Sequence, residues 1–451
     1  MIDAIILAAG QGTRMKSNKA KVLHQLGGKS LLQHVIDEIN PLTTSINIVI
    51  GNDAELVKNS INNHSINWIV QEKQLGTGHA VQQAKTIIND KSTCIILYGD
   101  VPFISTNTIK SLIAQSQLTG FSLLSVILDA PSSYGRIVRD KNKLIQAIIE
   151  HKDADEEKQE INEINTGVIA IKGSLLKKYI SQLKPNNKQG ELYLTDIVEI
   201  AVSDNVTISS LVCDNASEVM GINNKNQLAE AERIYRQKQA KDLMSKGLTI
   251  KDPSRFDCRG NLIFGKDCSV DINVVFEGEN ELGNNVLIAP NCIIKNAKIG
   301  DHTEIKASSI IENSIIGSHT TVGPFARIRP ETKVGNYAKI GNFVEVKKST
   351  IGDKSKVPHL SYVGDSSIGQ DVNISAGVIT CNYDGANKHQ TIIEDGAFIG
   401  SDTQLIAPIT VGKNATIGAG STITQDAPSE KLTLSRKKQK TIDNWKRKKK
   451  Q

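Results

Sequence analysis

Apolar residues in the first half of the chain form short continuous runs that are separated by amphipathic segments. The runs AIILAAG, INIVIG and CIILYGD show no alternation, whereas the segment from Ser30 to Ile39 repeats its apolar residues at helical spacing. Uninterrupted apolar strands with helices between them predict an α/β, Rossmann-like domain with a parallel sheet covered on both faces. Ligands of such sheets bind at the carboxyl ends of the strands.

The second half has a different pattern, in which an aliphatic residue recurs every six positions. One series runs from Phe264 to Val346 with occasional steps of five, another runs from Ile393 to Ile423, and glycine commonly follows the aliphatic residue. A six-residue period fits a coil with three flat sides whose aliphatic residues stack on those of the next coil. The pattern therefore predicts an all-β parallel β-helix of about nine coils, with glycines relieving its corners. Its narrow interior explains an aromatic content of only 4%.

A segment rich in Ala, Glu, Lys, Arg and Gln lies between these halves and ends before Gly247. This composition predicts a linking helix. The expected domains are residues 1–225 for the α/β domain, residues 226–246 for the helical linker, and residues 247–451 for the β-helix with a basic tail.

Charge and cysteine content restrict the possible partners and location. The net charge is +6, but Arg436 to Gln451 holds nine Lys or Arg and one Asp, so the remaining chain is near −2. Without stacking aromatic motifs, this tail predicts a solvated terminus or a ligand clamp and no nucleic-acid site. Six cysteines without CxxC pairs predict reduced thiols and a cytoplasmic location. The apolar start at Ala4 to Ala9 lacks a basic leader, and no run is long enough for membrane insertion.

Two segments of the α/β half carry candidate phosphate and metal chemistry. After the first strand, Gly10 and Gly12 allow close approach of a phosphate, and Arg14 and Lys21 supply cations. Asp100 ends an apolar strand, where a carboxylate is costly unless it binds a metal. The segment QEKQLGTGHA is equally consistent with a base-reading surface and with a polar turn that caps the next helix.

LAAGQGTRM, followed by Lys21 in KVLH, resembles the signature of sugar-1-phosphate nucleotidyltransferases, although that family usually has Pro where this chain has Ala20. QEKQLGTGHA resembles the uracil-reading segment of the bacterial GlmU family. The resemblance implies Arg14 and Lys21 as catalytic cations and Asp100 with Asn223 as Mg²⁺ ligands. It further implies that UTP and the nucleotide sugar contact Leu7, Ala8, Ala9, Gly10, Lys21, Gln71, Gly76, Thr77, Tyr98, Gly99, Asp100, Gly135, Glu150, Asn165 and Asn223.

The β-helix half contains a second group of candidate residues. Arg329 and Lys347 are cations on predicted coils, and His359 precedes Tyr362 in HLSYVGD. The period breaks between Thr380 and Ile392, which predicts a loop that leaves the coil. A lone histidine is usually structural and a loop can be an inert insertion, but their combination with the two cations favours an active site.

These residues resemble the acetyltransferase half of the GlmU family, although Val357 and Pro358 replace the usual small Ala and Gly. The resemblance implies His359 as general base, supported by Asn382, with Arg329 and Lys347 on the sugar phosphate and Tyr362 and Asn373 on the sugar. It also implies a left-handed β-helix and a homotrimer with acetyl sites between chains. The implied acetyl-CoA contacts are Ala376, Asn382, Tyr383, Ser401, Ala419 and Arg436.

The combined expectation is a bifunctional enzyme of UDP-N-acetylglucosamine synthesis. It would acetylate glucosamine-1-phosphate with acetyl-CoA and then transfer UMP from UTP to N-acetylglucosamine-1-phosphate, supplying precursors of peptidoglycan and lipopolysaccharide. One alternative is a hexose-1-phosphate nucleotidyltransferase whose β-helix only assembles or regulates. Another is a scaffold with decayed sites, which the intact Arg14, Lys21, Asp100 and Asn223 argue against.

Overall fold

The computed structural model describes residues 1–51, 53–61, 65–131 and 134–447. The chain forms two compact units, Met1–Glu232 and Arg233–Gln451. The division falls inside a helix that spans Lys225–Ser245, on the segment predicted as the linker. The three domain ranges expected from composition stay predictions.

The first unit contains alternating strands and helices, as predicted. Its strands are β1 (Ile2–Ala8), β2 (Gln25–Leu26), β3 (Lys29–Ser30), β4 (Ser45–Ile50), β5 (Ile66–Val70), β6 (Thr93–Tyr98), β7 (Phe121–Ile127), β8 (Arg136–Arg139), β9 (Ile145–Ile149), β10 (Glu163–Lys172) and β11 (Ser209–Val212). Its helices are α1 (Leu31–Ile39), α2 (Ala54–Asn59), α3 (Thr77–Gln83), α4 (Thr106–Thr119), α5 (Glu156–Gln159), α6 (Gly173–Ile180), α7 (Ile197–Ser203) and the first part of α8 (Lys225–Ser245). Short 3-10 helices cover Thr13–Met15, Lys21–Leu23, Asn40–Leu42, Leu194–Asp196 and Ala216–Val219.

The main sheet has the order β11-β7-β10-β6-β1-β4-β5, with the β8–β9 hairpin attached to β10. Strands β6, β1, β4 and β5 are parallel, as are β11 and β7. The prediction of a parallel sheet is wrong for β10, which runs antiparallel to both β6 and β7. In the described residues between β7 and β10, which are 128–131 and 134–162, the chain forms only a hairpin and a four-residue helix. Antiparallel neighbours need no crossover helix, so β10 can return directly beside β7.

The local sequence of helix α1 determines where the helix begins and which of its side chains are buried. Ser30 caps it by accepting a hydrogen bond from the Gln33 amide at 3.2 Å, and all five of its apolar side chains are buried. Separate apolar clusters form the core of the unit, and together they contain residues from all the long strands of the sheet. The sheet is therefore covered by apolar packing, and its strand ends are positioned for binding.

The second unit consists of short strands. They are β12 (Thr249–Ile250), β13 (Asp257–Phe264), β14 (Ser269–Val270), β15 (Val275–Leu282), β16 (Leu287–Ile288), β17 (Ile293–Lys295), β18 (Lys298–Ile299), β19 (Glu304–Ile305), β20 (Ile310–Glu312), β21 (Ser314–Ile316), β22 (Thr321–Val322), β23 (Arg327–Ile328), β24 (Thr332–Val334), β25 (Lys339–Asn342), β26 (Glu345–Lys347), β27 (Thr350–Ile351), β28 (Lys356–His359), β29 (Tyr362–Gly364), β30 (Ser366–Ile368), β31 (Asn373–Ile374), β32 (Ile379–Cys381), β33 (Thr391–Ile393), β34 (Phe398–Ile399), β35 (Gln404–Ile406), β36 (Ile409–Val411), β37 (Thr416–Ile417), β38 (Thr422–Ile423) and β39 (Leu432–Thr433). A 3-10 helix covers Pro253–Arg255.

These strands stack in parallel, with the six-residue repeat directed into the core. Ile288 pairs with Ile305, which pairs with Val322, and Phe276 pairs with Ile294, so stacked positions are 17 or 18 residues apart. One sheet of 11 strands forms one side of the coil, and a continuous sheet of 17 strands forms the rest. The stacked aliphatic side chains are buried. The predicted parallel β-helix is confirmed.

The role predicted for the glycines of the repeat is wrong. Gly323 has a φ of 98°, but the glycines after most other aliphatic residues of the repeat, such as Gly283 and Gly317, are outside the left-handed region; that conformation is adopted at the corners by residues such as Asn273, Asn285 and Asn291. The glycines are instead needed because successive coils approach closely. A Cβ on Gly283 would lie 2.3 Å from Asp301 Oδ1, and one on Gly317 would lie 2.5 Å from the Gly335 carbonyl carbon.

The β-helix is interrupted where the period breaks. Residues 382–390 leave the coil between β32 and β33, and Tyr383 and Lys388 form an isolated antiparallel bridge at the base of this loop. The Asp384 carboxylate accepts hydrogen bonds from the Asn387 and Ala386 amides and forms an ion pair with His389. These interactions together lower the pKa of the Asp384 carboxyl. The predicted loop is confirmed, and its own side chains hold its shape.

The six cysteines are free thiols, as predicted. Five are buried and Cys381 is partly buried. Burial raises the pKa of Cys94 and Cys292 to about 11 and that of Cys258 to about 12, so these thiols stay protonated and unreactive. Over the part of the chain that the structure describes, the helices are too short or too polar to cross a membrane.

Candidate active sites

The loop after β1 brings the glycines and the predicted cations together. Gly12 has a φ of 61°, and a Cβ there would lie 2.7 Å from Lys21 Cβ. Only glycine allows the loop to fold back against Lys21 in this conformation. Ala20 has φ −50° and ψ 135°, values that proline would adopt. The loop therefore keeps the shape that a proline would impose, although this chain has Ala20.

Four side chains from distant parts of the sequence converge at the carboxyl end of the sheet. The Lys21 amine contacts Asp100 Oδ2 and donates to Asn223 Oδ1 at 3.0 Å. Arg14 donates to the same Asn223 oxygen at 3.0 Å. The Asp100 carboxylate and the Asn223 amide oxygen thus face the same point, and the positively charged Lys21 amine lies at that point.

This arrangement fits a divalent cation of the Mg²⁺ type. Asp100 and Asn223 supply two hard oxygen donors that already share a positive charge, and Mg²⁺ characteristically takes one or two protein oxygens with water and substrate phosphates. Among the described residues, no cluster of three or more His, Cys, Asp or Glu side chains could hold a metal by itself. Water and a bound nucleotide are the ligands that would complete the coordination of an ion held by Asp100 and Asn223.

A cavity of about 480 Å³ extends from the glycine-rich loop to the start of α3. Its lining combines apolar side chains such as Leu7 and Val22 with polar ones such as Gln71 and Thr77. Predicted residues that line it are Leu7, Ala8, Ala9, Gly10, Arg14, Lys21, Gln71, Gly76, Thr77, Tyr98, Asp100 and Asn223. Lining residues that sequence reasoning missed include Gln11, Thr13, Gln74 and Glu191.

The segment QEKQLGTGHA forms one wall of this cavity at the amino end of α3. The buried Gln71 side chain donates to the Gly76 carbonyl at 3.2 Å, and the Thr77 hydroxyl accepts from the Leu194 amide at 3.1 Å. Gly76 has a φ of 107°, and a Cβ there would lie 2.5 Å from the Leu192 carbonyl oxygen. The segment is thus both a turn that begins a helix and a rigid cavity wall.

A second cavity of about 650 Å³ adjoins the first. The two share Arg14, Thr77, Tyr98, Glu191 and Asn223. Glu150 and Asn165, both predicted as amino-sugar contacts, line the second cavity. So do residues that sequence reasoning missed, which are Tyr134, His151, Lys152, Gln189, Glu191, Tyr193, Thr195 and Gln227. No motif marks these residues, and half of them belong to a segment near residue 190 that reaches the cavity only through the tertiary fold.

Burial changes the acid–base properties of the second cavity. Desolvation raises the pKa of Glu150, although Thr195 donates a hydrogen bond to its carboxylate at 3.1 Å. Next to Thr195, burial and the charges of Glu199, Glu150 and Asp153 raise the pKa of Asp196 to about 6. Burial also raises the pKa of Tyr98 well above its usual range. A sugar hydroxyl or amide would meet polar groups that have already lost most of their water.

Two predicted contacts, Gly99 and Gly135, are outside the lining of both cavities. A Cβ on Gly99 would lie 3.1 Å from Leu32 Cδ1, so this glycine packs against the core. One on Gly135 would lie 3.4 Å from the Glu150 carboxyl carbon. The binding roles given to both glycines stay predictions.

In the second unit, His359 lies beside Asn342 on the adjacent coil. The two residues are register partners in β28 and β25, and His359 Nδ1 is 2.7 Å from Asn342 Oδ1. Because an amide oxygen only accepts, Nδ1 carries the proton in this pair and Nε2 keeps its lone pair. The imidazole is exposed. This orientation suits a general base.

Pro358, a departure from the family pattern, is accommodated by the coil below. A Cβ on Gly341 would lie 1.8 Å from the Pro358 carbonyl oxygen. Val357 is fully buried and pairs with Ile340, so it continues the aliphatic stack. The register that brings Asn342 to His359 is therefore preserved.

The predicted phosphate cations lie on the coils next to this histidine, together with residues that sequence reasoning missed. Arg329 donates to Glu345 at 2.7 Å, and Glu345 is the register partner of Tyr362. A hydrogen bond and the charge of Lys388 lower the pKa of Lys347. Two neighbouring amines of like charge would favour an anion between them. Lys388 belongs to the loop, so a search for cations at the repeat positions of the coil does not find it.

The loop contacts a different residue from the one predicted. Asn382 donates to Asp365, and the Tyr383 hydroxyl donates to the Gly385 carbonyl at 2.6 Å. Within one chain, Asn342 supports His359 and Asn382 does not. Support of the histidine by Asn382 stays a prediction for a contact between chains.

Asn382 and Tyr383 belong to the loop, and the other four predicted coenzyme contacts follow one corner of the coil. The Ala376 carbonyl accepts from the Asp402 amide and the Ser401 carbonyl accepts from the Gly420 amide, each at 2.8 Å. Ala376, Ser401 and Ala419 therefore lie on successive coils. A Cβ on Gly418 would lie 3.6 Å from an Arg436 guanidinium nitrogen, which places Arg436 beside the same corner. Asn373 lies in β31 and contacts the Ser375 hydroxyl at 3.4 Å.

Both units match families of known proteins. Residues 4–137 match the MobA-like NTP transferase domain, residues 258–335 the GMPPB C-terminal domain, and residues 390–425 the bacterial transferase hexapeptide family, with six repeats. The bifunctional protein GlmU of Ruthia magnifica is 57% identical over 446 residues, covering 99% of this chain and 98% of the relative. The chain belongs to the GlmU family. The GlmU protein of Vesicomyosocius okutanii is 56% identical, with 98% of each chain covered, and that of Marinobacter nauticus is 50% identical, with 100% and 99% covered.

Membership of the GlmU family confirms several predictions. The chain is a bifunctional enzyme that combines an α/β nucleotidyltransferase unit with a left-handed parallel β-helix of hexapeptide repeats. The individual site residues, the metal and the assembly stay predictions.

Proposed function

We propose that this GlmU-family chain catalyses two consecutive reactions in UDP-N-acetylglucosamine synthesis. The β-helix acetylates glucosamine-1-phosphate with acetyl-CoA. The α/β unit then transfers UMP from UTP to N-acetylglucosamine-1-phosphate and releases pyrophosphate. The product would supply peptidoglycan and lipopolysaccharide synthesis.

The observation that carries the first half of this proposal is the junction of the two cavities. One cavity offers a phosphate loop and a base-reading wall, and the other offers desolvated polar groups suited to an amino sugar. Arg14 and Asn223 line both. A nucleotide and a sugar phosphate bound in the two cavities would therefore meet beside the cations, where the α-phosphorus must be attacked.

For uridylyl transfer, the chain supplies orientation and charge. Arg14 and Lys21 hold the phosphates and stabilise the charge that develops as the sugar phosphate oxygen attacks and pyrophosphate leaves. Asp100 and Asn223 would hold Mg²⁺, which neutralises phosphate charge when bound. Gln71, Gly76 and Thr77 would position the uracil, and Glu150 and Asn165 the sugar.

For acetyl transfer, His359 Nε2 accepts a proton from the amino group of glucosamine-1-phosphate as that nitrogen attacks the thioester carbonyl. Asn342 holds the imidazole in the tautomer that leaves Nε2 free. Arg329, Lys347 and Lys388 would bind the sugar phosphate. The C–S bond then breaks, and the leaving sulfur takes the proton from His359 Nε2, which releases free CoA as a thiol and restores the neutral imidazole.

We further propose that copies of the chain assemble as a homotrimer. The exposed side chains of Phe325 (52%), Phe343 (57%) and Leu360 (60%) form an apolar ridge next to His359, with the two phenyl rings stacked at 5.3 Å. A second copy on this ridge would bury it and could bring its own Asn382 loop to the histidine. Light scattering on the eluted peak of a size-exclusion column would test the mass.

We propose a cytoplasmic location, where the free, buried thiols would stay reduced. The proposed substrates are UTP, acetyl-CoA and the two sugar phosphates, and the proposal includes no nucleic-acid partner and no membrane insertion.

The two reactions can be separated by omission assays. The protein is incubated with glucosamine-1-phosphate, acetyl-CoA, UTP and Mg²⁺, and each component is then left out in turn. We expect free CoA without UTP or Mg²⁺, and pyrophosphate without acetyl-CoA when N-acetylglucosamine-1-phosphate is supplied. Pyrophosphate release from the acetylated sugar that continues without any divalent ion, or an absence of free CoA, would refute the proposal.

A further inference from the structure

The segment Gly221–Asn223 carries one of the two oxygens proposed for Mg²⁺, and it is held from both sides. On one side, the Ile222 amide donates to the Asp100 carbonyl at 2.9 Å. On the other, the Asn223 amide donates to Gln227 Oε1 at 2.8 Å. The backbone of the second oxygen donor is therefore fixed to that of the first and to helix α8.

Gln227 is itself held firmly. It lies in the first turn of α8, and its amide donates to the Asn224 side chain, which caps the helix at 2.9 Å. Its side chain lines the second cavity, but its oxygen is directed to the Asn223 amide. A helical residue with a capped backbone gives the Asn223 amide a fixed acceptor.

Asn223 has few other contacts that could fix its orientation. Its side-chain nitrogen makes only a long hydrogen bond, at 3.4 Å, to the Gly221 carbonyl. Its Oδ1 accepts from Arg14 and Lys21, which are the cations expected to move onto phosphates. The placement of Oδ1 then depends mainly on where the backbone of Asn223 is held.

We infer that Gln227 is a positioning residue for uridylyl transfer, which acts by fixing the backbone of Asn223 so that its side-chain oxygen faces the cation shared with Asp100. The inference rests on the proposed function and adds a residue to it. Partners that orient a metal ligand typically change metal affinity by about 10- to 100-fold when they are removed. Gln227 has the geometry of such a partner although it touches no reacting atom.

Three variants of the full chain test this role. Gln227→Met keeps the length and volume of the side chain but removes the acceptor, whereas Gln227→Glu keeps an acceptor oxygen. Gln82→Met is the matched control, because the Gln82 side chain also makes one hydrogen bond to a backbone group, at 2.5 Å to the Ile180 carbonyl, but lines neither cavity. Acetyl transfer and, in a Trp445→Phe background, the Trp68 fluorescence of β5 report whether each variant is folded.

The measurements are the Mg²⁺ concentration for half-maximal uridylyl transfer and the binding of Mn²⁺. Mn²⁺ binding is followed by the electron paramagnetic resonance signal of the free ion, with the protein saturated by UDP-N-acetylglucosamine. For Gln227→Met we expect the half-saturating Mg²⁺ concentration and the Mn²⁺ dissociation constant to rise about tenfold, with the KM for UTP at saturating Mg²⁺ unchanged. Gln227→Glu and Gln82→Met should stay within about threefold of the unaltered protein.

The outcomes separate the inference from the proposed function. If the unaltered protein shows no Mg²⁺-dependent uridylyl transfer, the proposed function fails. If it is active and a folded Gln227→Met variant keeps both metal affinities within twofold, the proposed role of Gln227 alone is wrong. Equal losses in Gln227→Met and Gln227→Glu would also overturn that role, because they would show that the acceptor oxygen is not what matters.

Discussion

The two units build their sites from very different distances along the chain. In the α/β unit, the contacts of Lys21 with Asp100 and Asn223 join residues 79 and 202 positions apart. In the β-helix, the contacts from Arg329 to Glu345 and from His359 to Asn342 join residues 16 and 17 positions apart, which is about one coil. In the β-helix, the register between successive coils places the functional residues beside one another. In the α/β unit, their placement depends on the strand order of the whole sheet.

This difference has a consequence for the completeness of each site. The α/β unit brings its candidate residues, apart from Gly99 and Gly135, to the lining of two adjoining cavities of one chain. The β-helix presents His359 on an exposed face, next to an exposed apolar ridge. A solenoid buries its aliphatic stack and has no room inside for a substrate, so a pocket there needs a loop or another chain.

The largest expected effect is on the β-helix. We expect His359→Ala to reduce acetyl transfer by about 10³-fold, because general base catalysis is worth about 10²- to 10⁴-fold. Uridylyl transfer from supplied N-acetylglucosamine-1-phosphate should stay within twofold. His319→Ala is the matched control, since His319 is an exposed coil histidine that stacks between His302 and Tyr337. If His359→Ala retained most of its acetyl transfer rate in a CoA release assay, the role of general base would be wrong.

The converse effect is expected at Asp100. We expect Asp100→Ala to lower uridylyl transfer by at least about 10²-fold, because it removes the carboxylate proposed to hold the cation that stabilises phosphate charge. Pyrophosphate release measures the effect, and acetyl transfer should be unchanged. Asp37→Ala, which removes an exposed ion pair with Lys29, should change neither reaction. Mg²⁺-dependent pyrophosphate release near the normal rate in Asp100→Ala would contradict the assignment.

Core substitutions test whether the two activities depend on separate packing. Ile340 and Ile96 are both fully buried, one in the aliphatic stack below Val357 and the other in β6. Replacing either by Ala should lower the stability of its own unit by about 3 kcal/mol. On heating, Ile340→Ala should lose acetyl transfer first, and Ile96→Ala should lose uridylyl transfer first. Parallel loss of both activities in both variants would show that the units do not unfold separately.

The smallest predicted effect concerns the pH dependence of the α/β unit. Burial raises the pKa of Asp196 from its ordinary 3.8 to about 6, so the native state binds its proton more tightly than the unfolded state. Stability from this group is therefore present below about pH 4 and is lost as the pH rises through about 6. The full difference corresponds to about 3 kcal/mol, and we expect about 1 kcal/mol because the side chain is partly exposed.

Asp196→Asn should accordingly be more stable than the unaltered protein at pH 8 by about 1 kcal/mol and equal to it at pH 4. Denaturation followed by Trp68 fluorescence in a Trp445→Phe background would report on the α/β unit alone. An advantage of the same size at both pH values would show that ionisation of Asp196 is not the cause.

Motifs with strong local patterns were predicted well. The apolar periodicity of α1, the glycine-rich loop with Arg14 and Lys21, and the interruption after Thr380 all depend on residues that are close in sequence. The antiparallel direction of β10 was not predicted, because strand direction depends on how the chain returns and not on side-chain pattern. The lining residues Tyr193, Thr195 and Gln227 were also missed, since no short motif carries them.

Residue patterns along the chain were enough to predict an α/β unit and a parallel β-helix and to name the residue types available for chemistry, because the hydrophobic period sets which side chains must be buried. Which of these residues meet depends on the tertiary fold. It brought Asn223 to Asp100 and Lys21, and it gave Asn342, not Asn382, to His359 within a chain. Such contacts depend on strand order and register, which side-chain pattern restricts but does not specify.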